Sequence, residues 1–277
     1  MPQPVLENTR KSDACDGGMK LSRPVLLSVG ALIVLMCAIV TVAMLRGARD
    51  RDPACAIHDF EGSRFIVCPF DAQRQDMRLS SRDAEGDYLR GFAALETLLG
   101  RDAARVRFAM NAGMFNEQGA PIGLYVENGE RQHVLRLTEG PGNFHLKPNG
   151  VFWQGQDGAL HIDVSEDYAA AAPQPRWATQ SGPMLLINGA LHPRFAEDGA
   201  SRLMRNGVGI GDNHTAYFVI SSGFVSFGRF ARFFRDELGC RDALFLDGTV
   251  SSLWAPEMGR MDNDHPLGPM VVVMDRR

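Results

Sequence analysis

Two stretches decide how this chain folds. One is Val106-Arg-Phe-Ala-Met110 running into Asn111-Ala-Gly-Met-Phe-Asn116. The other is Ala243-Leu-Phe-Leu246 running into Asp247-Gly-Thr-Val-Ser-Ser252. Each is an apolar strand that ends in a compact polar turn, and each follows an amphipathic helix that stops at a glycine. Phe92, Leu95 and Leu99 make the apolar stripe before Gly100; Phe227, Phe230, Ala231, Phe234 and Leu238 make the one before Gly239. A buried strand that delivers a polar residue and then a glycine to its carboxyl end is one way α/β proteins build a site. The repetition predicts that Asn111 and Asp247 converge on one pocket, on the same sheet edge if their strands run parallel. Taken singly, each reads equally well as a turn-initiating Asx residue bonded to nearby backbone N–H groups.

Around these stretches lies a domain of short strands and tight turns. Leu124–Glu127 leads into Asn128-Gly129, and Met184–Ile187 into Asn188-Gly189; Asn-Gly between apolar runs is the strongest short hairpin signal. Pro148-Asn149-Gly150 precedes the strand Val151–Trp153, and Ala216–Ile220 follows a turn around Gly211-Asp212-Asn213. Two helices among many hairpins predict an α+β fold with a mixed, largely antiparallel sheet and a few packed helices. The run Ala169–Pro175 is the best loop candidate.

The chain has 277 residues, 45% of them hydrophobic, and a formal charge of −4. No basic block with interleaved aromatics occurs, so nucleic acid is not an expected partner. Val25–Leu45 is uncharged, and at about 1.5 Å per residue it is long enough for a bilayer core of about 30 Å. The expected layout is therefore a polar cytoplasmic tail (1–24), a transmembrane anchor (25–45) that is retained or cleaved near Thr41-Val-Ala43, a charged linker (46–54) and one domain (55–277). Met19 is an alternative start, with Lys20 and Arg23 as a short basic segment. Basic residues flank both ends of the span, so the positive-inside rule orients it only weakly.

Cys55 and Cys68 flank a hairpin whose turn is Glu61-Gly62. Antiparallel pairing about that turn sets Phe60 opposite Ser63, Ile57 opposite Ile66 and Cys55 opposite Cys68, close enough to bridge. A bridge implies an oxidising compartment and an extracytoplasmic, periplasmic-side domain. Cys240 reads as a packed core thiol.

Standard catalytic and metal motifs are absent: there is no His-Glu-x-x-His, Cys-x-x-Cys, Gly-x-Ser-x-Gly or Walker loop. The seven histidines are scattered, and Asp262-Asn-Asp264 reads as an exposed acidic loop, so neither metal nor cofactor is expected. What remains is a series of small-residue turns bearing polar groups: Asn111–Phe115, Gly142–Gly150, Thr179–Pro183, Ser201–Gly207 and Asp247–Ser252.

In this order the turns resemble the phosphodiester glycosidase family, and most closely its bacterial branch linked to exopolysaccharide biosynthesis. An animal member of that family removes N-acetylglucosamine from a sugar phosphodiester. The resemblance rests on Asn111, Gly113 and Phe115; on Ser181, Gly182, Pro183 and Leu185; on Arg205, Asn206 and Gly207; and on Leu238-Gly239 with Leu246-Asp247-Gly248. The family pattern has a second glycine after Asp-Gly, where this chain has Thr249.

The resemblance implies hydrolysis of a carbohydrate phosphodiester. Cleavage at the anomeric carbon builds positive charge on the sugar, which a carboxylate stabilises as nucleophile, base or electrostatic partner. Asp247 is the candidate for that role, with Asn111 and Arg205 as its catalytic companions. Arg205 suits bidentate phosphate binding and Lys147 a point charge. Asn116 and Gln180 offer amides to sugar hydroxyls, while Gly113, Ser181, Gly182, Gly248 and Ser251 complete the binding turns. Glu127 and Asp212 are both open as a second carboxylate. Without the resemblance, Arg205 and Lys147 read as solvated charges. The alternative function is a non-catalytic polysaccharide-binding subunit tethered to an envelope assembly, a reading favoured by the missing glycine.

Overall fold

The computed structural model describes residues 52–277, with Met36 before them. Apart from Met36, the expected tail and membrane anchor lie outside the described residues. Among the described residues, no helix is long and apolar enough to cross a membrane. Pro53–Arg277 form one compact unit.

The unit opens with β1 (Ala56–Phe60), β2 (Ser63–Asp71) and β3 (Gln75–Ser80), then helix α1 (Phe92–Leu99) and β4 (Val106–Asn111). A middle section holds β5 (Tyr125–Glu127), β6 (Glu130–His133), β7 (Gly150–Gln154), β8 (Leu160–Val164), α2 (Ser165–Ala171) and β9 (Trp177–Ser181). The last section carries β10 (Met184–Ile187), β11 (Ala190–Leu191), β12 (Asn206–Ile210), β13 (Thr215–Ser221), α3 (Phe227–Arg232), β14 (Asp242–Phe245), β15 (Leu253–Ala255), β16 (Arg260–Met261) and β17 (Met270–Asp275). These make three sheets, ordered β1-β2-β13-β12-β14-β10-β11, β16-β15-β4-β17-β3 and β6-β5-β9-β7-β8.

The expected α+β class with antiparallel sheets and few helices is what the described residues form. The expectation of parallel strands beneath Asn111 and Asp247 is corrected: β4 and β14 belong to different sheets, and both pair antiparallel with every neighbour. The physical reason is double burial. One face of each sheet contributes to a shared core, where Phe108 of β4, Phe152 of β7 and Phe218 of β13 meet with ring centroids 5.5–5.7 Å apart. The opposite face of each sheet is covered by one helix. Helix α3 and the π-turn that continues it lay Phe230, Phe233 and Phe234 over Phe65 and Phe245; α1 lays Phe92 and Leu95 over Ala109 and Val272; α2 brings Tyr168 to Val151 and Ala178. All six residues of β4 are buried. Continuous apolar runs therefore arise here in antiparallel strands covered on both faces, the pattern more usual for parallel ones.

Local signals set the remaining boundaries. Glu61 (φ 46°) and Gly62 (φ 72°), Asn128 (φ 53°) and Gly129 (φ 81°), and Asn188 (φ 51°) and Gly189 (φ 84°) all have the left-handed backbone that a two-residue hairpin turn demands. The first of these turns pairs Ala56 with Val67, which sets Cys55 against Cys68, and the two are disulfide-bonded. Helix α2 occupies Ser165–Ala171, so the expected loop at Ala169–Pro175 begins inside its last turn. Its signal was the acidic first turn, Glu166 and Asp167. The α3 stripe continues past Arg232 as a π-turn over Phe233–Glu237, which keeps Phe234 and Leu238 on the sheet side up to Gly239.

Candidate active site

Several polar turns meet where the sheets come together. Asn111 closes β4, Ser181 closes β9, Asn206 opens β12, and Asp247 follows Leu246 just beyond β14. The inter-sheet connection is made by side-chain amides. Asn206 Nδ2 donates to Asn111 Oδ1 and to the Asn111 carbonyl, each at 3.0 Å, while Asn206 Oδ1 accepts the Asp247 N–H at 2.9 Å. Asn111 Oδ1 also accepts the Ser252 N–H at 2.8 Å. Ser251 Oγ donates to the Asp247 carbonyl at 2.8 Å, and Ser181 Oγ to the Leu246 carbonyl at 2.6 Å. Asn111, Ser181, Ser251 and Asp247 are thus brought together, although from different sheets.

The Asp247 carboxyl is pushed up to about 6 by burial, while the N–H groups of Gly248, Thr249 and Val250 bond its charged form and pull the other way. Neither Gly248 nor Thr249 takes a left-handed backbone, so the turn forms without a second glycine. A Cβ at Gly248 would stand 3.2 Å from Phe245 Cζ and 3.5 Å from the Met204 carbonyl, which places Met204 and its neighbours directly against this turn.

Arg205 sits beside the turn, yet it is fully buried. Its Nε donates to the Val225 carbonyl at 2.9 Å, and its Nη2 to the Ser201 carbonyl at 2.9 Å. Its guanidinium lies 3.5 Å above the Phe227 ring. Among the described residues no carboxylate pairs with it, Nη1 has no hydrogen-bond partner, and burial lowers its pKa to about 10. The expected open phosphate fork is therefore closed off by Ser201, Val225 and Phe227, and direct contact with a ligand requires the Ser201 segment to shift.

Other candidates hold structural bonds. Gln180 is buried with its whole amide in use: Oε1 accepts from the Leu124 and Arg136 N–H groups at 3.0 and 2.9 Å, and Nε2 donates to the Arg136 carbonyl and Ser165 Oγ at 2.7 and 2.9 Å. It joins the loops at Leu124 and Arg136 to the first residue of α2 and has no donor left for a sugar hydroxyl. Asn116 is exposed and its Oδ1 closes its own turn, accepting from the Gln118 and Ala120 N–H groups. Lys147 is paired with Glu166 and donates to the Leu137 carbonyl at 2.7 Å. Gly113 and Gly182 are close-approach points: a Cβ at Gly113 would fall 2.4 Å from the Gln180 carbonyl oxygen, and one at Gly182 would fall 2.8 Å from that of Phe144.

The two open carboxylates separate clearly from Asp247. Asp212 lies beyond the other end of β12, about 13 Å or more along the strand from Asn206, and its side chain caps a turn through the His214 and Thr215 N–H groups. Glu127 is raised by burial and accepts a bond from Tyr125 Oη at 3.0 Å, at the end of β5 that runs away from Ser181. Asp262 is ion-paired with Arg260 and caps the Leu253 N–H, which makes it a turn anchor. Cys240 is buried among the α3 aromatics, and burial lifts its thiol to about 12. Asn206 carries the family resemblance together with Arg205 and Gly207, but nothing in the sequence assigns it a role at the site; its buried place at the start of β12, between Asn111 and the Asp247 turn, does.

Fold and site together define a three-sheet α+β domain with a partly buried carboxylate, Asp247, on a pinned turn at the sheet junction. Residues 104–274 match the family model described as phosphodiester glycosidase, and the chain belongs to that family. It is 39% identical over 152 residues to YigE, an uncharacterized Escherichia coli K12 protein; that match covers 54% of this chain and 58% of YigE, less than two thirds of the curated relative. Among solved structures, the zebrafish N-acetylglucosamine-1-phosphodiester alpha-N-acetylglucosaminidase catalytic domain, auto-inhibited by its pro-peptide, shares the fold. Its TM-score is 0.56 at 13% identity, over 82% of this chain and 85% of that one. A Burkholderia pseudomallei protein described as exported aligns with a TM-score of 0.50 at 12% identity, covering 76% and 74% of the two chains.

Proposed function

We propose that the chain hydrolyses a sugar-1-phosphodiester, with Asp247 as the working carboxylate. The observation that carries this reading is the setting of Asp247 in a chain of this family. Its turn stands at the junction of the sheets, pinned through the Asp247 and Ser252 N–H groups to Asn206 and Asn111, and burial raises the carboxyl pKa to about 6. In the reaction, the bond between the anomeric carbon and the phosphate oxygen breaks, water supplies the new anomeric hydroxyl, and the phosphate departs with its bonding pair. A phosphate leaving group needs little protonation, so one carboxylate facing the developing oxocarbenium charge suffices. Arg205 keeps the segment from Ser201 to Arg205 folded against the Asp247 turn. Its charge, with no carboxylate beside it, adds positive potential on the side where phosphate would sit.

Membrane anchorage through 25–45 and an extracytoplasmic domain serving envelope or exopolysaccharide metabolism belong to the same proposal, supported by the bridged Cys55 and Cys68. The test is release of a chromophore from a chromogenic sugar-1-phosphodiester by purified protein, alongside Asp247→Asn. Binding of polysaccharide without turnover would favour the tethered binding subunit instead. Protection of the C-terminal domain from added protease in intact spheroplasts would count against the topology.

A further inference from the structure

Asn206 is fully buried, and its amide faces a second buried amide across the junction of two sheets. We infer that Asn206 is a positioning residue for the Asp247 turn, acting with Asn111 as one clamp; this rests on the reading of Asp247 as the working carboxylate. The turn 247–252 is held at both ends by this pair. Its first N–H, at Asp247, goes to Asn206 Oδ1, and its last, at Ser252, goes to Asn111 Oδ1. The two amides then bind each other, through Asn206 Nδ2 to Asn111 Oδ1 at 3.0 Å and Asn111 Nδ2 to Asn206 Oδ1 at 3.4 Å. The three N–H groups that bond the Asp247 carboxylate belong to the residues between those two pins. Fixing both ends sets the path of the turn from which the Asp247 side chain emerges, and with it the placing of those N–H groups relative to the carboxylate.

The chemistry calls for asparagine. At position 206 the side chain must accept from one strand and donate to another within a single short reach; aspartate lacks the donor, and leucine lacks both groups. Two amides kept out of water are stable only when their hydrogen bonds are made. The clamp meets that demand and holds the first and second sheets in register where the turn sits. Asn111 is accordingly occupied in holding the turn and has little capacity left for a substrate.

The test uses the full chain and the chromogenic phosphodiester, with Asn206→Ala, Asn206→Ser and Asp247→Asn compared to the parent. With the clamp open, the three N–H groups drift from the carboxylate. The acid limb of kcat against pH then moves upward by about one pH unit, while kcat falls about tenfold and KM stays near the parent value. If Asn206→Ala does not fold, the neutral Asn206→Ser, which can satisfy only one of the two sides of the clamp and adds no charge, is read for the same upward movement. A fall in kcat that only tracks the folded fraction, with the acid limb unmoved, overturns the inference even if Asp247→Asn is inactive. A fully active Asp247→Asn overturns the underlying reading and the inference with it.

Discussion

At the residue scale, the two charged groups at the sheet junction are both destabilised by burial, and each makes a distinct prediction. Asp247 has an ordinary pKa of 3.8 and a folded one of about 6, so the folded state holds its proton more tightly than the unfolded chain. Stability from this group is therefore full below about pH 4 and lost as pH rises to about 6, by up to about 3 kcal/mol. Asp247→Asn carries no such dependence. Its melting temperature relative to the parent should rise between pH 4 and pH 7, while turnover drops on the order of a hundredfold or more. Calorimetry at the two pH values, with kinetics at neutral pH, checks both halves. Arg205→Lys keeps a charge but loses the planar fork that holds the Val225 and Ser201 carbonyls and stacks on Phe227. A loss of about 1–3 kcal/mol in denaturant unfolding is expected, because the ammonium cannot make those bonds in the same place.

At the element scale, the turn after β4 works because it packs closely against β9. Gly113 donates its N–H to Thr179 Oγ1 at 3.2 Å, and any Cβ there would collide with the Gln180 carbonyl, which is itself fixed in a strand. Gly113→Ala should cost about 1–3 kcal/mol or more and lower expression of folded protein, measured by urea unfolding. The hairpin β1–β2 gives a second case. Its turn sets the register, the register sets Cys55 against Cys68, and the bridge closes a loop with a sequence separation of 13. Cys55→Ser with Cys68→Ser should lower stability by about 3 kcal/mol, read as a shift in the urea midpoint with the slope nearly unchanged. The helices were legible from their stripes because each covers one sheet face with aromatic and aliphatic side chains at helical spacing. Helix α2, only seven residues long, offered too little periodicity to stand out from its alanine-rich surroundings.

At the scale of the whole molecule, the described residues from Pro53 to Arg277 form three antiparallel sheets around a common core, each backed by one helix. That arrangement explains why β4 and β14 look alike in sequence: both are buried on two sides, one face by the other sheets and one by a helix. Local chemistry by itself determined the Asn-Gly and Glu-Gly hairpins, the glycine-terminated helices, the Cys55–Cys68 register and the family-bearing turns, because each depends on residues close in the chain. It could not determine that β4 and β14 lie in separate sheets, since an apolar run records burial and not the direction of its neighbours. Nor could it determine how the polar turns divide their work. Gln180, Asn116 and Lys147 carry the same donors and acceptors whether those face a ligand or a backbone. Only the folded chain decided that Gln180 is fully bonded within the protein, that Arg205 is sealed behind Phe227, and that Asn206 joins Asn111 to the Asp247 turn. Hydrogen-bond capacity is a property of a residue, but where it is satisfied depends on which distant segments the core brings into reach.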